Sequence, residues 1–526
     1  MIHLSKEKTK LMVAVHGWSG ILLGLLLYAV VLTGTAAVFA EEVGIWSAGH
    51  VRTTSAFARP LDSAIRDLAA HTPERFHEGV NLFEMGDHDL GVYFHRDEMA
   101  GGRPITRGVY YRIDAEGRLA SAQRGTDEEI FGPSNDDALK TFLVDTHVRL
   151  HLPNPWGLLL TGILGLAMLV AAISGLLIHR HLLKDIFTLR RSANPVLVDR
   201  DRHSVAGTWS LPFAFVLAFT GSFFSFYGTV GVPIVAMAAF GGDVGALNET
   251  VYGNPGKADP RPAPVGNLDR IMADATRRAG GVPTFVGIEK FGRADAEITS
   301  YHQPAAGDLE PATLLYRGAT GQFERVKPAI GTRASAGGSL VGIMAPMHFG
   351  NFAGLLSKAV WFALGFAMCY VSLTGFRLWL VRRRGEARSL DWLDRTVTTV
   401  AVGLPVALIA SAVAFIIAMP EGTAVFWTPA AFVIASAAVI AGAALMRSPA
   451  AFERALWLAM AIGMLILPPL RLALGGPGWA AAIDAGQPII PALDLAFLAA
   501  GGWLTWRTKP RRAVTSEPLA TLMPAE

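Results

Sequence analysis

The segment His203-Ser-Val-Ala-Gly-Thr-Trp-Ser-Leu-Pro-Phe-Ala-Phe-Val-Leu-Ala-Phe-Thr220-Gly221 follows the charged run Asp199-Arg-Asp-Arg202 and then stays apolar. It places a histidine at the mouth of a membrane-length helix and a Thr-Gly pair near the far end. The same layout occurs earlier, where His16 opens an apolar run carrying Thr33-Gly34. The interval from His16 to Gly34 equals that from His203 to Gly221, 18 residues.

The composition agrees with a membrane setting. The chain has 526 residues, 52% hydrophobic and only 17% charged, with a mean hydropathy of +0.37. Soluble domains carry about 25% charged residues. A net charge of +3 gives no argument for nucleic acid. The single cysteine, Cys369, excludes an internal disulfide, and no C-x-x-C-H exists for covalent haem attachment.

A membrane helix needs about 20 apolar residues. Eight stretches qualify, at about 12–39, 157–179, 205–238, 353–381, 396–419, 423–446, 453–474 and 488–506. The first is too long for a signal-peptide core and reads as an uncleaved anchor. Lys/Arg-rich segments sit on one side of these spans: the N-terminal lysines, the 180–202 loop, Arg382 to Arg384, Arg447 to Arg454, and Arg507 to Arg512. By the positive-inside rule that side, with both termini, is expected to be the cytoplasm.

The fold expected is an α-helical integral membrane protein of about eight spans with two small α+β domains. The expected order is a first span in 1–40, an outer domain in 41–150 and two spans in 151–239. A second outer domain in 240–350 and a span in 351–385 follow. Four C-terminal spans in 386–508 and a cytoplasmic tail, 509–526, complete it. Helical spacing over Leu61–Ala70 and Leu268–Ala279, with strand-like alternation over Leu90–His95, Gly108–Ile113, Phe285–Phe291, Ala296–His302 and Thr313–Arg317, suggests one helix on an antiparallel sheet in each domain.

Residues 1–385 read as one unit used twice: helix, outer domain, helix. His147 precedes a span carrying Ser174-Gly175, and His348 precedes one carrying Thr374-Gly375. Four histidines therefore hold matching places, His16 and His203 at one face, His147 and His348 at the other. Ionisable or ligating side chains at membrane depth are functional candidates. Two pairs suit two non-covalent b-type haems with these four residues as axial ligands, built from facing helices. The plainer reading makes them helix-end or headgroup histidines. His151 is an alternative to His147. His179 and His181 compete with His16 and His203, although Trp379 stands where a partner of His179 would be. Met344 and Met347 leave His/Met ligation open beside His348. Gly20 and Gly24 permit close approach of a helix or a flat macrocycle.

Several quoted pieces resemble the PepSY-associated transmembrane family. They are His16-Gly-Trp-Ser-Gly-Ile-Leu-Leu-Gly24, His147-Val-Arg-Leu-His-Leu-Pro153, Ser174-Gly-Leu-Leu-Ile-His-Arg180, His203-Ser-Val-Ala-Gly-Thr-Trp209 with Leu211-Pro212, and His348-Phe-Gly-Asn-Phe-Ala-Gly354. The resemblance covers about 1–385. It implies a bacterial inner-membrane protein of iron uptake, with PepSY-like outer modules, that reduces a periplasmic ferric siderophore from Fe(III) to Fe(II). Typical members carry arginine after the histidine opening a core helix; here Gly17 and Ser204 stand there.

No nucleotide, flavin or nicotinamide motif is present, so electrons must come from an external donor, a quinol or a cytoplasmic reductase. A permease for a siderophore or metal chelate, or a non-enzymatic partner-binding membrane protein, are the competing classes. In the outer segments His71, His77, His88 and His95 with Asp87, Asp89 and Asp97 match no standard metal spacing. Phe223, Phe224, Phe226 and Tyr227 read as an interfacial belt or a chelate-lining cluster. The C-terminal spans contain no histidine; Arg471 and Asp494 are their outstanding charges.

Overall fold

The computed structural model describes residues 5–101, 103–179, 186–190, 194–252, 258–305, 307–383 and 391–509. His181, Arg180, Arg384 and the tail beyond Lys509 fall outside these residues, as does the side chain of Asp87.

The chain begins with α1 (Lys6–Leu22), α2 (Gly24–Ala37) and α3 (Ala40–Ala48). Next come α4 (Asp62–His71) and strands β1 (Gly79–Glu84), β2 (Leu90–Ala100), β3 (Arg103–Ile113) and β4 (Leu119–Thr126). The short α5 (Asp127–Ile130) leads to α6 (Ala138–Arg149) and α7 (Trp156–Ile178). Helix α8 (Pro195–Phe226) continues through a π turn, Tyr227–Gly231, into α9 (Val232–Phe240), followed by α10 (Val244–Tyr252) and α11 (Leu268–Ala279). Strands β5 (Phe285–Glu289), β6 (Glu297–His302), β7 (Ala312–Arg317) and β8 (Phe323–Val326) precede α12 (Ala336–Phe349) and α13 (Gly354–Arg383). The chain ends in α14 (Asp391–Ala418), α15 (Ala424–Leu445), α16 (Pro449–Ala473), α17 (Trp479–Asp484) and α18 (Ile489–Thr508).

Among the described residues seven helices are long and apolar enough to cross a membrane, and α1 with α2 makes eight if taken as one span. That first span is not the single helix expected over 12–39. It bends by 66° between Leu22 and Gly24. At the bend Gly24 lies against the Phe376 ring, where an added Cβ would be 2.6 Å from Cε2. Glycine is also the weakest helix former after proline. Residues Val196–Phe240 form one helical span of 45 residues that opens with the charged run Asp199 to Arg202, longer than the expected 205–238.

The strands depart further from expectation. The segments 41–150 and 240–350 do not hold separate sheets. They share one antiparallel sheet in the order β4-β3-β2-β1-β5-β6-β7-β8. Its central seam pairs Val80 with Ile288 and Leu82 with Val286. Alternate residues, among them Leu82, Val92, Phe94, Val286, Ile288 and Ile298, form one core with Ile65 and Leu68 of α4 and Ile271 and Met272 of α11. The two helices also cap each other. Asp269 Oδ1 accepts from the Leu61 and Asp62 amides at 2.6 and 3.1 Å, and Asp62 Oδ1 accepts from the Leu268 amide at 2.9 Å.

In the helical region α7 packs between α1 and α8, and α13 packs between α8 and α2. Each contributes to a central apolar layer: Phe213 of α8 and Met368 of α13 are buried against Val31 of α2 and Met168 of α7. The C-terminal helices join this group through α14, where the Tyr28 hydroxyl donates to the Ala401 carbonyl at 2.7 Å. On the sheet side, Trp46 of α3 is fully buried among α16–α18 residues. Asn135 bridges to the turn between α14 and α15, donating to the Met419 carbonyl at 2.9 Å and accepting from the Ala424 amide at 2.8 Å.

Candidate functional site: two histidine pairs

The structure brings His16 beside His203 and His147 beside His348. Ring centres are 6.2 Å apart in both pairs. The His16 and His203 planes cross at 69°, whereas those of His147 and His348 lie within 26° of parallel.

Each ring is set by a small-residue pair on the facing helix. His16 packs on Gly175, His203 on Gly375, and His348 on Gly221; an added Cβ would lie 3.2 Å from Cε1 in each case. His147 packs closest, on Gly34, where the distance would be 2.7 Å. The glycines thus accommodate imidazole, a role their spacing alone did not reveal.

The hydroxyl or carbonyl groups just before each glycine hold Nδ1. His16 Nδ1 lies 2.9 Å from the Ala171 carbonyl and 3.3 Å from Ser174 Oγ. His203 Nδ1 lies 3.0 Å from the Val371 carbonyl and 3.2 Å from Thr374 Oγ1. His147 Nδ1 meets the Val30 carbonyl at 2.9 Å, and His348 Nδ1 meets Thr220 Oγ1 at 2.8 Å. A carbonyl partner makes Nδ1 the protonated nitrogen, which leaves Nε2 as the one presented to a metal.

A transition metal binds imidazole nitrogen at about 2.0–2.1 Å, and the ring centre lies about 1.1 Å behind that nitrogen, so two rings sharing one ion in line have centres about 6.3 Å apart. Both ring-centre separations match that value. Around His16 and His203 lies a cavity of about 970 Å³, whose lining includes Gly17, Gly20, Gly24 and Gly207. Ligand pockets span roughly 300–1,000 Å³, so a macrocycle is within its range. Among the described residues no three His, Cys, Asp or Glu side chains converge on one point, so each pair offers two donors of that kind and no more.

The alternatives take other places. His151 stacks on Phe142 at 4.7 Å, and its Nε2 is bonded to Thr146 Oγ1 at 2.7 Å. His179 ends α7 and lines the cavity beside the His16–His203 pair. Met344 is buried, while Met347 gives its carbonyl to the Trp361 indole at 2.8 Å. Phe224 touches the His348 ring edge-on at 5.6 Å, and Phe223 stacks on Tyr227 at 5.5 Å. In the sheet, His88 bonds Glu84, Asp89 pairs with Arg52 and Arg112, and His77 packs against Phe94 and Phe291. Arg471 and Asp494 form a buried pair at 2.7 Å, with the Trp46 and Trp479 indoles both donating to Asp494. Sequence reading did not find these two tryptophans, because nothing in local spacing ties Trp46 to a residue near the other end of the chain.

Along α8 the rise from His203 to Gly221 is about 27 Å at about 1.5 Å per residue. A bilayer's hydrocarbon core is about 30 Å thick. Fold and site together define a multi-pass membrane protein whose helix bundle holds one histidine pair near each end. The chain belongs to the family described as the PepSY-associated TM region, which matches residues 13–382. It is also similar to the uncharacterized protein PA4219 of Pseudomonas aeruginosa, 28% identical over 291 residues, covering 51% of this chain and 70% of that protein.

Proposed function

We propose that this chain is a bacterial inner-membrane reductase with two b-type haems, which passes electrons to a ferric siderophore. The observation that carries this reading is the 6.2 Å ring separation found in both pairs. Haem held there would supply reversible one-electron chemistry. His16 and His203 would ligate at the end nearest the N terminus, His147 and His348 at the sheet end. Phe213, Met368, Val31 and Met168 pack together as an apolar cluster, and the last three also line the cavity.

The lysine- and arginine-rich loops support a cytoplasmic location for both termini and a periplasmic one for the sheet. An external quinol or cytoplasmic reductase would then supply electrons. A ferric chelate on the sheet side would accept one electron, converting Fe(III) to Fe(II) and weakening its hold by hard oxygen donors. The four matched histidine–glycine contacts also support an internal duplication of 1–385, with two PepSY-like halves joined in one sheet.

The test is absorption spectroscopy of the purified protein made with ample haem supply. About two haems per chain, a sharp α band on reduction, and reoxidation by a ferric siderophore are expected. His203→Ala and His348→Ala should each remove one haem. A colourless protein sinks the reading in favour of a permease or partner-binding role. Two haems without reoxidation by any ferric chelate would sink the substrate assignment alone.

A further inference from the structure

The cavity beside His16 and His203 has two unlike edges. Arg200 lies three residues before His203 on α8, so it projects from the same helix face one turn nearer the helix start. His179 lies four residues after Gly175, the residue under the His16 ring, and is again one turn nearer the membrane boundary. Both line the cavity. The matching positions on the other two helices are Val13, three before His16, and Trp379, four after Gly375, and these line it too. The edge formed by α7 and α8 is therefore polar, and the edge formed by α1 and α13 is apolar.

The polar edge is under-used by the protein itself. His179 Nδ1 is buried with no hydrogen-bond partner among the described residues. Asp201 is already held by Arg190, through its Nε at 2.8 Å and through a second guanidinium nitrogen. Arg200 reaches Asp201 only at 3.9 Å, beyond hydrogen-bond range. An imidazole and a guanidinium one turn below the histidine pair have the chemistry to receive carboxylate, which a guanidinium binds in two-pronged fashion. Acid groups at membrane depth are costly unless they meet such partners.

Resting on the haem reading above, we propose that Arg200 and His179 receive the propionates of the haem held by His16 and His203. The macrocycle then sits in one orientation, with its acid edge toward α7 and α8 and its hydrocarbon edge toward Val13 and Trp379. Arg200 and His179 are positioning residues in this proposal.

The experiment titrates haem and haem dimethyl ester into full-length protein expressed without haem supply. In the wild type, one of two sites should favour the free acid at least tenfold over the ester. Arg200→Ala and His179→Ala should each erase most of that preference, and Arg200→Lys should keep part of it. The sheet-side haem, bound as in the wild type, certifies that each variant is folded. A wild type that takes up two haems with no acid preference, or alanine variants that keep the full preference, would overturn the proposal and leave the haem reading intact. A wild type that binds no haem overturns both.

Discussion

Gly34 and His147 are in such close contact that a β-carbon on Gly34 would stand 2.7 Å from Cε1 and 2.9 Å from Nδ1 of the imidazole. The ring is trapped between this glycine and the Val30 carbonyl. Its direction toward His348 is therefore a property of α2 as much as of α6.

Gly34→Ala should displace His147 and lower occupancy of the proposed sheet-side haem by about tenfold or more, as loss of a ligand-orienting contact does. Gly175→Ala and Gly375→Ala, at 3.2 Å, need their neighbours to give only slightly and should be milder. Haem content and the low-spin electron paramagnetic signal of each variant measure this. Equal, full occupancy in all three would contradict it.

His348 is held differently from the other three, by the Thr220 hydroxyl and not by a carbonyl. Thr220→Val should loosen its ring and weaken binding of the proposed sheet-side haem by about 10-fold. Thr374→Val leaves His203 its Val371 carbonyl and should change little. Haem dissociation rates into a scavenger protein compare the two; the reverse ranking would show that the hydroxyls do not orient these rings.

Asp494 accepts from Arg471, Trp46 and Trp479 at once. Asp494→Ala leaves a guanidinium charge buried and two indole donors without an acceptor. It should cost about 3–5 kcal/mol. The double replacement Arg471→Met with Asp494→Leu removes both charges and should cost less. Thermal unfolding in detergent reads the order, and a single variant more stable than the double would refute it.

Asp269→Ala removes the cap shared by the Leu61 and Asp62 amides and should cost about 1 kcal/mol, within the 0.5–2 kcal/mol range for such caps. Because α4 lies in one half of the chain and Asp269 in the other, protection in α4 should fall without any change made there. Hydrogen exchange of α4 amides is the check, and unchanged protection would count against the shared cap.

The sheet should weaken in acid. Burial holds the pKa of His302, His77 and His95 below the ordinary histidine value. The unfolded chain therefore takes protons first as pH falls, so stability is whole above about pH 6.5 and is lost progressively below it. Asp295, held low by its bonds to Arg293, adds a loss of the same sign further into acid. Exchange of β5 and β6 amides, corrected for intrinsic rates, should show easier opening at about pH 5.5 than at about pH 7.5. Identical opening at both would rule this out.

Much of this was legible in the chain itself. The apolar runs gave the spans, because a bilayer demands a length that few other environments do. Leu61–Ala70 and Leu268–Ala279 gave their helices through periodicity. What escaped was whatever depends on distant partners. The pairing of Leu82 with Val286 cannot be read from either strand alone, so the sequence reads as two sheets where the fold has one. The bend between Leu22 and Gly24 sits against the Phe376 ring, on a helix far along the chain. Gly34 and Gly175 were noticed as small residues, but only the fold shows that each lies beneath an imidazole.

The seam between β1 and β5 sets an order of events during synthesis. Until Phe285 to Glu289 have been made, β1 has a raw edge of unsatisfied amides and carbonyls, the kind of border that recruits stray strands. The newborn first half must wait, partly unzipped, for its other half to arrive. A truncation ending before β5 should therefore be far more prone to clump than one ending after β8, even though both contain the whole of β1 to β4.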